Sequence, residues 1–201
     1  MEGIFFYWLF WMFWVMATFF MEKNKLRLKI SIGILMAITL STFSFPFLGN
    51  EFSYTSVFLL ITFFIWIARQ SFKKGSYMLI TSFILMLSYS VFQLFELFDP
   101  VWLIFDRTIM LSILMAYLSI LLHGNLELRI LSLVSGCIQG DILYSFILRK
   151  LTFPHSVGDY AFLDVVSISI ALLLVASGFK KLSIYFESHF KQFEREKQKQ
   201  S

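Results

Sequence analysis

Ionisable and amide side chains inside long apolar stretches are the residues of this sequence that could carry chemistry. The candidates are Asp106, Arg107, Gln139, Asp141 and Asp164. Charged groups in apolar surroundings are costly, so they pair with one another or mark a pathway for ions or protons. We therefore expect these residues to form a buried polar and charged network.

The residue types outside this network do not indicate catalysis. An intramembrane aspartate protease needs two aspartates that face each other. Asp141 and Asp164 are the one pair to consider, and neither lies in a catalytic motif. HExxH, GxSxG and glycine-rich phosphate loops do not occur. Cys137 is the single cysteine, and the three histidines fall in separate connectors, at positions 123, 155 and 189. We expect no enzymatic activity, no metal and no cofactor.

The composition indicates where these residues lie. The chain has 201 residues, of which 58% are hydrophobic, 19% aromatic and 15% charged, whereas globular chains carry about 25% charged residues. This favours an integral membrane protein and excludes a disordered or collagen-like chain. The net charge of +4 is explained by the lysines and arginines that collect in the cytoplasmic loops of membrane proteins. We therefore expect a lipid bilayer as the partner and no nucleic acid.

Seven stretches are long and apolar enough to cross a bilayer as helices, each needing about 20 residues. The sequence thus predicts an all-α, seven-helix membrane domain over residues 1–179, followed by a basic tail over residues 180–201. The predicted spans are Ile4–Met21, Ile30–Leu48, Phe52–Ala68, Tyr77–Phe98, Val101–Leu122, Ile130–Leu148 and Tyr160–Phe179.

The basic residues predict an outer N-terminus and a cytoplasmic C-terminus. Lysine and arginine collect in cytoplasmic loops, and fourteen of the 17 basic residues fall on one side of the seven spans. Arg107, Arg149 and Lys150 fall on the other side. A multi-pass protein of the plasma membrane is expected.

The first span carries aromatic residues on every face, including Trp8, Trp11 and Trp14, and a short basic loop beginning Glu22-Lys23-Asn24-Lys25 follows it. This pattern is typical of a peripheral helix in contact with lipid. In these features the chain resembles the YphA family, small uncharacterised integral membrane proteins of spore-forming Gram-positive bacteria. The resemblance extends over the whole chain and implies a bacterial plasma-membrane location, and it implies no catalytic or ligand-binding residue.

Small residues repeat every four positions in the sixth span, at Ser132, Gly136 and Gly140. They share one helical face, and such faces allow two membrane helices to approach closely. We expect this face to pack inside the monomer, and self-association is the alternative. Gln139 and Asp141 on the same helix need partners away from lipid.

Arg107 is expected to pair with Asp141 or Asp164, because all three lie in the outer half of neighbouring spans. The pair would lock helices together or, alternatively, line a pathway for ions or solutes. In a further alternative, Asp106 and Arg107 belong to the outer loop and the fifth helix begins at Thr108. The fourth span also carries a polar stripe containing Tyr89, Gln93 and Glu96, which forms either a buried packing face or a cavity wall.

The tail is amphipathic, with Leu182, Phe186, Phe190 and Phe193 at helical spacing. We expect its apolar face to lie at the cytoplasmic headgroup boundary, and the alternative is that it extends the seventh helix and docks on a partner. The sequence as a whole favours a non-enzymatic accessory, assembly or sensor protein that acts by association with a membrane protein or a second copy. The alternative is a small-solute transporter or channel that uses the charged residues of spans five to seven.

Overall fold

A computed structural model describes residues 2–47, 49–151, 153 and 155–200, without the side chains of residues 184, 185 and 188–200. This part of the chain contains seven α-helices and one short antiparallel β-hairpin. The helices are α1 (Ile4–Phe20), α2 (Lys25–Leu40), α3 (Tyr54–Ala68), α4 (Phe72–Phe98), α5 (Arg107–Leu122), α6 (Leu126–Lys150) and α7 (Tyr160–Gln200), and the strands are β1 (Ser44–Phe47) and β2 (Asn50–Ser53).

Among the described residues, three segments are long and apolar enough to cross a membrane: α4, α6 and the part of α7 from Tyr160 to Ser183. The shorter helices α1, α3 and α5 are also apolar. The hairpin, the N-terminus and the connectors before α5 and α7 lie at one end of the helices, which we call the hairpin end. The connectors before α2, α4 and α6 lie at the opposite end.

The predicted second span, Ile30–Leu48, is wrong at its end, because α2 stops at Leu40 and the chain turns into β1. Pro46 has no N–H to continue a helix, and hydroxyl groups take over the last helical carbonyls. Ser41 donates to the Ile38 carbonyl at 2.8 Å, and Thr55 of α3 donates to the Ala37 carbonyl at 3.0 Å. The Ile38 carbonyl thus has a hydroxyl partner, and the Ala37 carbonyl, which also accepts the Ser41 N–H at 3.2 Å, joins the end of α2 to α3.

The predicted fifth span, Val101–Leu122, is wrong at its beginning. A 3₁₀ turn over Pro100–Trp102 precedes a loop, and α5 begins at Arg107. Asp106 is the N-cap residue of α5, and its carboxylate accepts a hydrogen bond of 2.9 Å from the Thr108 N–H. Aspartate is a preferred residue at this position because its oxygen satisfies an unpaired backbone donor. The alternative that begins the fifth helix at Thr108 thus misses the observed start by one residue, whereas the span beginning at Val101 misses it by six.

The helices α4 and α6 form the most extensive contact in the described part of the chain. The face of α6 that carries Gly136 and Gly140 lies directly on α4. A Cβ atom at Gly140 would stand 2.8 Å from the Tyr89 side chain, and one at Gly136 would collide with Leu85. Glycine is therefore what permits the two backbones to approach, as in other small-residue contacts between membrane helices.

The other helices surround this pair. α7 packs on α6 and is flanked by α1 and α5, whereas α2 lies on α1 and α3 reaches α6. Phe6, Leu85, Met115, Leu133 and Leu163, drawn from five helices, are buried almost completely in one apolar core. On α1 a single face is buried, and Trp8 and Phe19 are more than 70% exposed, in agreement with a peripheral helix.

Substitution of Gly136 by alanine is expected to destabilise the protein, because its methyl group has no room against Leu85. Overpacking in a core costs about 1–3 kcal/mol, so the thermal unfolding midpoint in mild detergent should fall by several degrees. The matched control is Gly33→Ala in α2, where a Cβ meets nothing within 4 Å and alanine is the better helix former. An equal change in the midpoint of the two variants would contradict the packing argument.

Candidate functional site

The carboxylate of Asp141 is the centre of a buried polar site at the hairpin end. Asp141 lies on α6 and is 1% exposed. One carboxylate oxygen accepts a hydrogen bond of 2.7 Å from the Gly158 N–H, and the other lies 3.0 Å from Nε2 of His155. Both partners come from the connector between α6 and α7, which is therefore tied to a buried group of α6.

This connector is also paired with the hairpin. We call residues 155–159 the strap. Val157 is buried in the strap, and it accepts a hydrogen bond of 2.9 Å from the Ser53 N–H and donates one of 2.7 Å to the Glu51 carbonyl. β2 thus lies between β1 and the strap, and the hairpin and the strap together cover Asp141.

Gly158 is required in the strap for two reasons. Its φ angle is +75°, which side-chain-bearing residues rarely adopt, and a Cβ atom there would stand 2.6 Å from Oγ of Ser56. The close approach to α3 leaves the Gly158 N–H directed at Asp141. The backbone of the strap at Gly158 is therefore held in place by its contact with α3 and by its hydrogen bond to Asp141.

A second hydrogen-bonded contact lies beside Asp141, one turn further along α6. The side-chain amide of Asn50 in β2 donates to Oγ of Ser145 at 2.6 Å, and Ser145 donates to the His155 carbonyl at 3.4 Å. Ser145 is 1% exposed and Asn50 is 9% exposed. Hairpin, strap and α6 are thus joined by side-chain bonds as well as by strand pairing.

The surroundings of His155 raise its pKa. Burial by itself lowers the pKa, but the hydrogen bond and the negative charge of Asp141 outweigh burial, and Asp159 adds to them, whereas the positive charge of Arg107 acts in the opposite direction. The ring of Tyr144 packs edge-on against the imidazole at 5.1 Å. Burial also raises the pKa of Asp159. The protonated form of His155 is thus favoured in the folded protein.

Asp164 has a separate task at the same end of the bundle. It lies on α7, is 4% exposed, and accepts hydrogen bonds of 2.7 Å from the N–H groups of both Gly3 and Phe6. These groups belong to the first turn of α1, which has no side-chain cap of its own. A carboxylate here satisfies free donors and complements the positive end of the helix dipole, and so fastens α1 to α7.

The predicted pairing of Arg107 with Asp141 or Asp164 is wrong. Arg107 is the first residue of α5 and its side chain is 38% exposed, with Nε 3.6 Å from a carboxylate oxygen of Glu96 on α4. Both buried aspartates have other donors. Glu96 belongs to the polar stripe that the sequence indicates on the fourth span. The sequence therefore did show an acidic residue on a neighbouring span that could pair with Arg107.

The five candidate residues do not form one network. Asp106 caps α5, Arg107 pairs with Glu96, and Asp141 and Asp164 hold different segments. Gln139 is placed at the α4–α6 contact, where its amide donates to Oγ of Ser135 at 2.6 Å and to Oγ of Ser82 at 3.0 Å. Ser132 is fully buried one turn before Gly136, on the face that packs against α4.

The sequence interpretation missed four residues of the site: Asn50, Ser145, His155 and Gly158. One feature of the sequence could have indicated them, namely the short connector between the sixth and seventh spans. A connector this short keeps its polar groups close to the ends of the helices that it joins. Within the described ranges, no three His, Cys, Asp or Glu side chains come together as metal ligands.

Long apolar helices with carboxylates held by backbone donors between them define an all-helical integral membrane protein. The chain belongs to the YphA-like integral membrane proteins, whose sequence profile matches residues 2–199. The uncharacterized protein YphA of Bacillus subtilis (strain 168) is 30% identical over 186 residues, which is 91% of each chain. The family resemblance predicted from the sequence is thus confirmed. No solved structure matches the chain.

Removal of the His155 imidazole is expected to change the pH dependence of stability. A histidine whose pKa is raised on folding stabilises fully below its unfolded pKa of about 6.5, and this contribution is lost as pH rises through the folded value. Between pH 6 and 9, the thermal midpoint of His155→Gln should therefore fall less steeply than that of the unmodified protein.

His123 provides the control, because burial and the charge of Arg129 lower its pKa. Its contribution has the opposite sign and is lost as pH falls below about 6.5. His123→Gln should leave the alkaline slope unchanged and reduce the loss of stability on the acid side. If His155→Gln and the unmodified protein have parallel midpoints from pH 6 to 9, the pairing with Asp141 does not contribute.

Proposed function

We propose that this protein crosses the plasma membrane seven times, with its N-terminus outside and its C-terminus in the cytoplasm, and acts by association with a partner protein. It binds that partner through the cytoplasmic part of α7 and performs no catalysis. The membrane domain serves as a rigid support for this helix.

The distribution of basic residues over the two ends of the bundle supports the topology. Lys23 and Lys25 lie at the end opposite the hairpin, as do Arg69, Lys73 and Lys74 around the connector before α4. An excess of lysine and arginine in short connectors marks the cytoplasmic side. The hairpin end, with Glu51, Asp99 and Asp159, is then the outer end.

The partners of the buried acids support a structural role over a solute pathway. Asp141 and Asp164 are both occupied by backbone N–H donors, at 2.7 Å in each case. Leu85 and Tyr89 fill the space beside the two glycines of α6. Groups that fasten segments together in this way are engaged in packing, which favours the lock over transport.

The length of α7 is the observation that carries the association proposal. About 20 residues cross a bilayer, so the crossing that begins at Tyr160 is complete near Phe179. The helix continues unbroken through Gln200, which adds about 30 Å of helix at 1.5 Å per residue. A helix that continues in this manner favours docking on a partner over a separate segment lying along the headgroups. Leu182 and Phe186 are more than half exposed, whereas the side chains of Phe190 and Phe193 lie outside the described residues.

Cysteine labelling in intact cells tests the topology. Val101→Cys at the hairpin end, where the side chain is 88% exposed, should react with a membrane-impermeant maleimide, and Lys74→Cys should react only after the cells are opened. Cys137 is buried and serves as the silent background. Labelling of Lys74→Cys in intact cells would contradict the proposed orientation.

Photo-crosslinking in living cells tests association. A photoreactive residue at position 191 should form one discrete adduct of defined mass with a protein, because the helix is docked. The same residue at Phe83, which is 53% exposed on the lipid-facing side of α4, should form lipid adducts alone. Adducts with lipid alone from position 191 would favour the interfacial anchor and contradict the proposal.

A further inference from the structure

A groove of about 970 Å³ runs between α4 and α5 on the outside of the helix bundle. Its walls are apolar and include Val91 and Phe95 of α4 and Ile113 and Tyr117 of α5, all of them more than half exposed. Sites for small molecules have volumes of about 300–1,000 Å³. The groove is thus at the upper end of the size range of ligand sites, and it opens toward lipid.

The length of the groove corresponds to one leaflet of the bilayer. On α4 it extends from Ser88 to Asp99, a rise of about 16 Å at 1.5 Å per residue. The hydrocarbon core is about 30 Å thick, so one leaflet accounts for about 15 Å. The groove therefore begins near the middle of the membrane and ends where headgroups lie.

The headgroup end of the groove carries both charges. Asp99 lines it in an exposed position. Arg107, one turn before the lining residue Met110 on α5 and 38% exposed, joins α5 to α4 through its pair with Glu96 at 3.6 Å. The three side chains amount to one excess negative charge. An anionic headgroup is therefore disfavoured, and a headgroup with a phosphate and an ammonium group matches the two signs.

The indole ring of Trp102 adds to the apolar wall of the groove. Trp102 is part of the groove, with its ring packed edge-on against Phe92 at 4.9 Å. In the described part of the chain its indole Nε1 is buried and has no acceptor. Because this nitrogen has no surface open to the groove, Trp102 offers a ligand only the apolar part of its ring.

We propose that this groove binds a single phospholipid with a zwitterionic amine headgroup, phosphatidylethanolamine being the simplest example. One acyl chain lies along α4 and α5, the phosphate faces Arg107, and the ammonium group faces Asp99. The proposed topology places this lipid in the outer leaflet, whereas the binding itself does not depend on the orientation.

Native mass spectrometry of the whole protein in mild detergent tests the proposal. With an equimolar mixture of phosphatidylethanolamine and phosphatidylglycerol, we expect one bound phosphatidylethanolamine that persists after the remaining lipid is removed. Ile113→Trp fills the centre of the groove and should abolish this retention. Leu121→Trp, on the same helix but outside the groove and 63% exposed, should retain the lipid as the unmodified protein does.

Asp99→Asn tests the headgroup contact without filling the groove. Asparagine keeps the hydrogen bond that Asp99 accepts from the Val101 N–H and removes the charge. Exposed charge pairs contribute up to about 1 kcal/mol, so the preference for phosphatidylethanolamine over phosphatidylglycerol should fall by roughly two- to fivefold.

Three results would overturn the lipid proposal. They are equal retention of the two lipids by the unmodified protein, equal loss of lipid in the two tryptophan variants, and a dimer that Ile113→Trp alone disrupts, which would identify a contact between two copies. Because the measurement is made in detergent, a wrong topology would appear in the cysteine labelling and leave these results unchanged.

Discussion

Every backbone N–H and C=O group that lies inside the hydrocarbon needs a partner within the protein, because lipid offers none. The less regular parts of this structure follow from that constraint. Where α2 stops, hydroxyl groups of Ser41 and Thr55 bind its last carbonyls. Where α1 begins, Asp164 binds its first N–H groups. The hairpin pairs its backbone with itself and with the strap.

Asp141 and Asp164 have the same physical role in two places. Each is nearly inaccessible on a central helix and accepts backbone hydrogen bonds from another segment: Asp141 from the strap that follows its own helix, and Asp164 from the start of α1. A carboxylate accepts several hydrogen bonds at once, so one side chain fastens a helix start or a loop. Charge-assisted bonds of this kind are stronger than neutral ones, which offsets part of the cost of the buried charge.

The tight contact of α4 with α6 leaves little free space in the interior of the bundle, so surfaces open to other molecules lie on the outside. Because glycine brings the two helices together at Gly136 and Gly140, the polar groups of the interior are engaged with one another. Features that remain available to partners lie on the outside: the groove between α4 and α5, and the continuation of α7. The proposed contacts with a lipid and with a partner protein both use this outer surface.

The sequence alone determined the membrane class, the number of helices, the family and the interior position of the sixth helix, because composition and the spacing of small residues depend on local sequence. It also indicated that buried acids need partners. Only the tertiary structure decided which partners these are. The donors to Asp141 and Asp164 are mostly backbone N–H groups, which every residue but proline carries, so no residue type identifies them in advance. The partner of Arg107 depended on where α5 begins: with Asp106 as the N-cap residue, Arg107 is the first residue of α5 and pairs with Glu96 of α4.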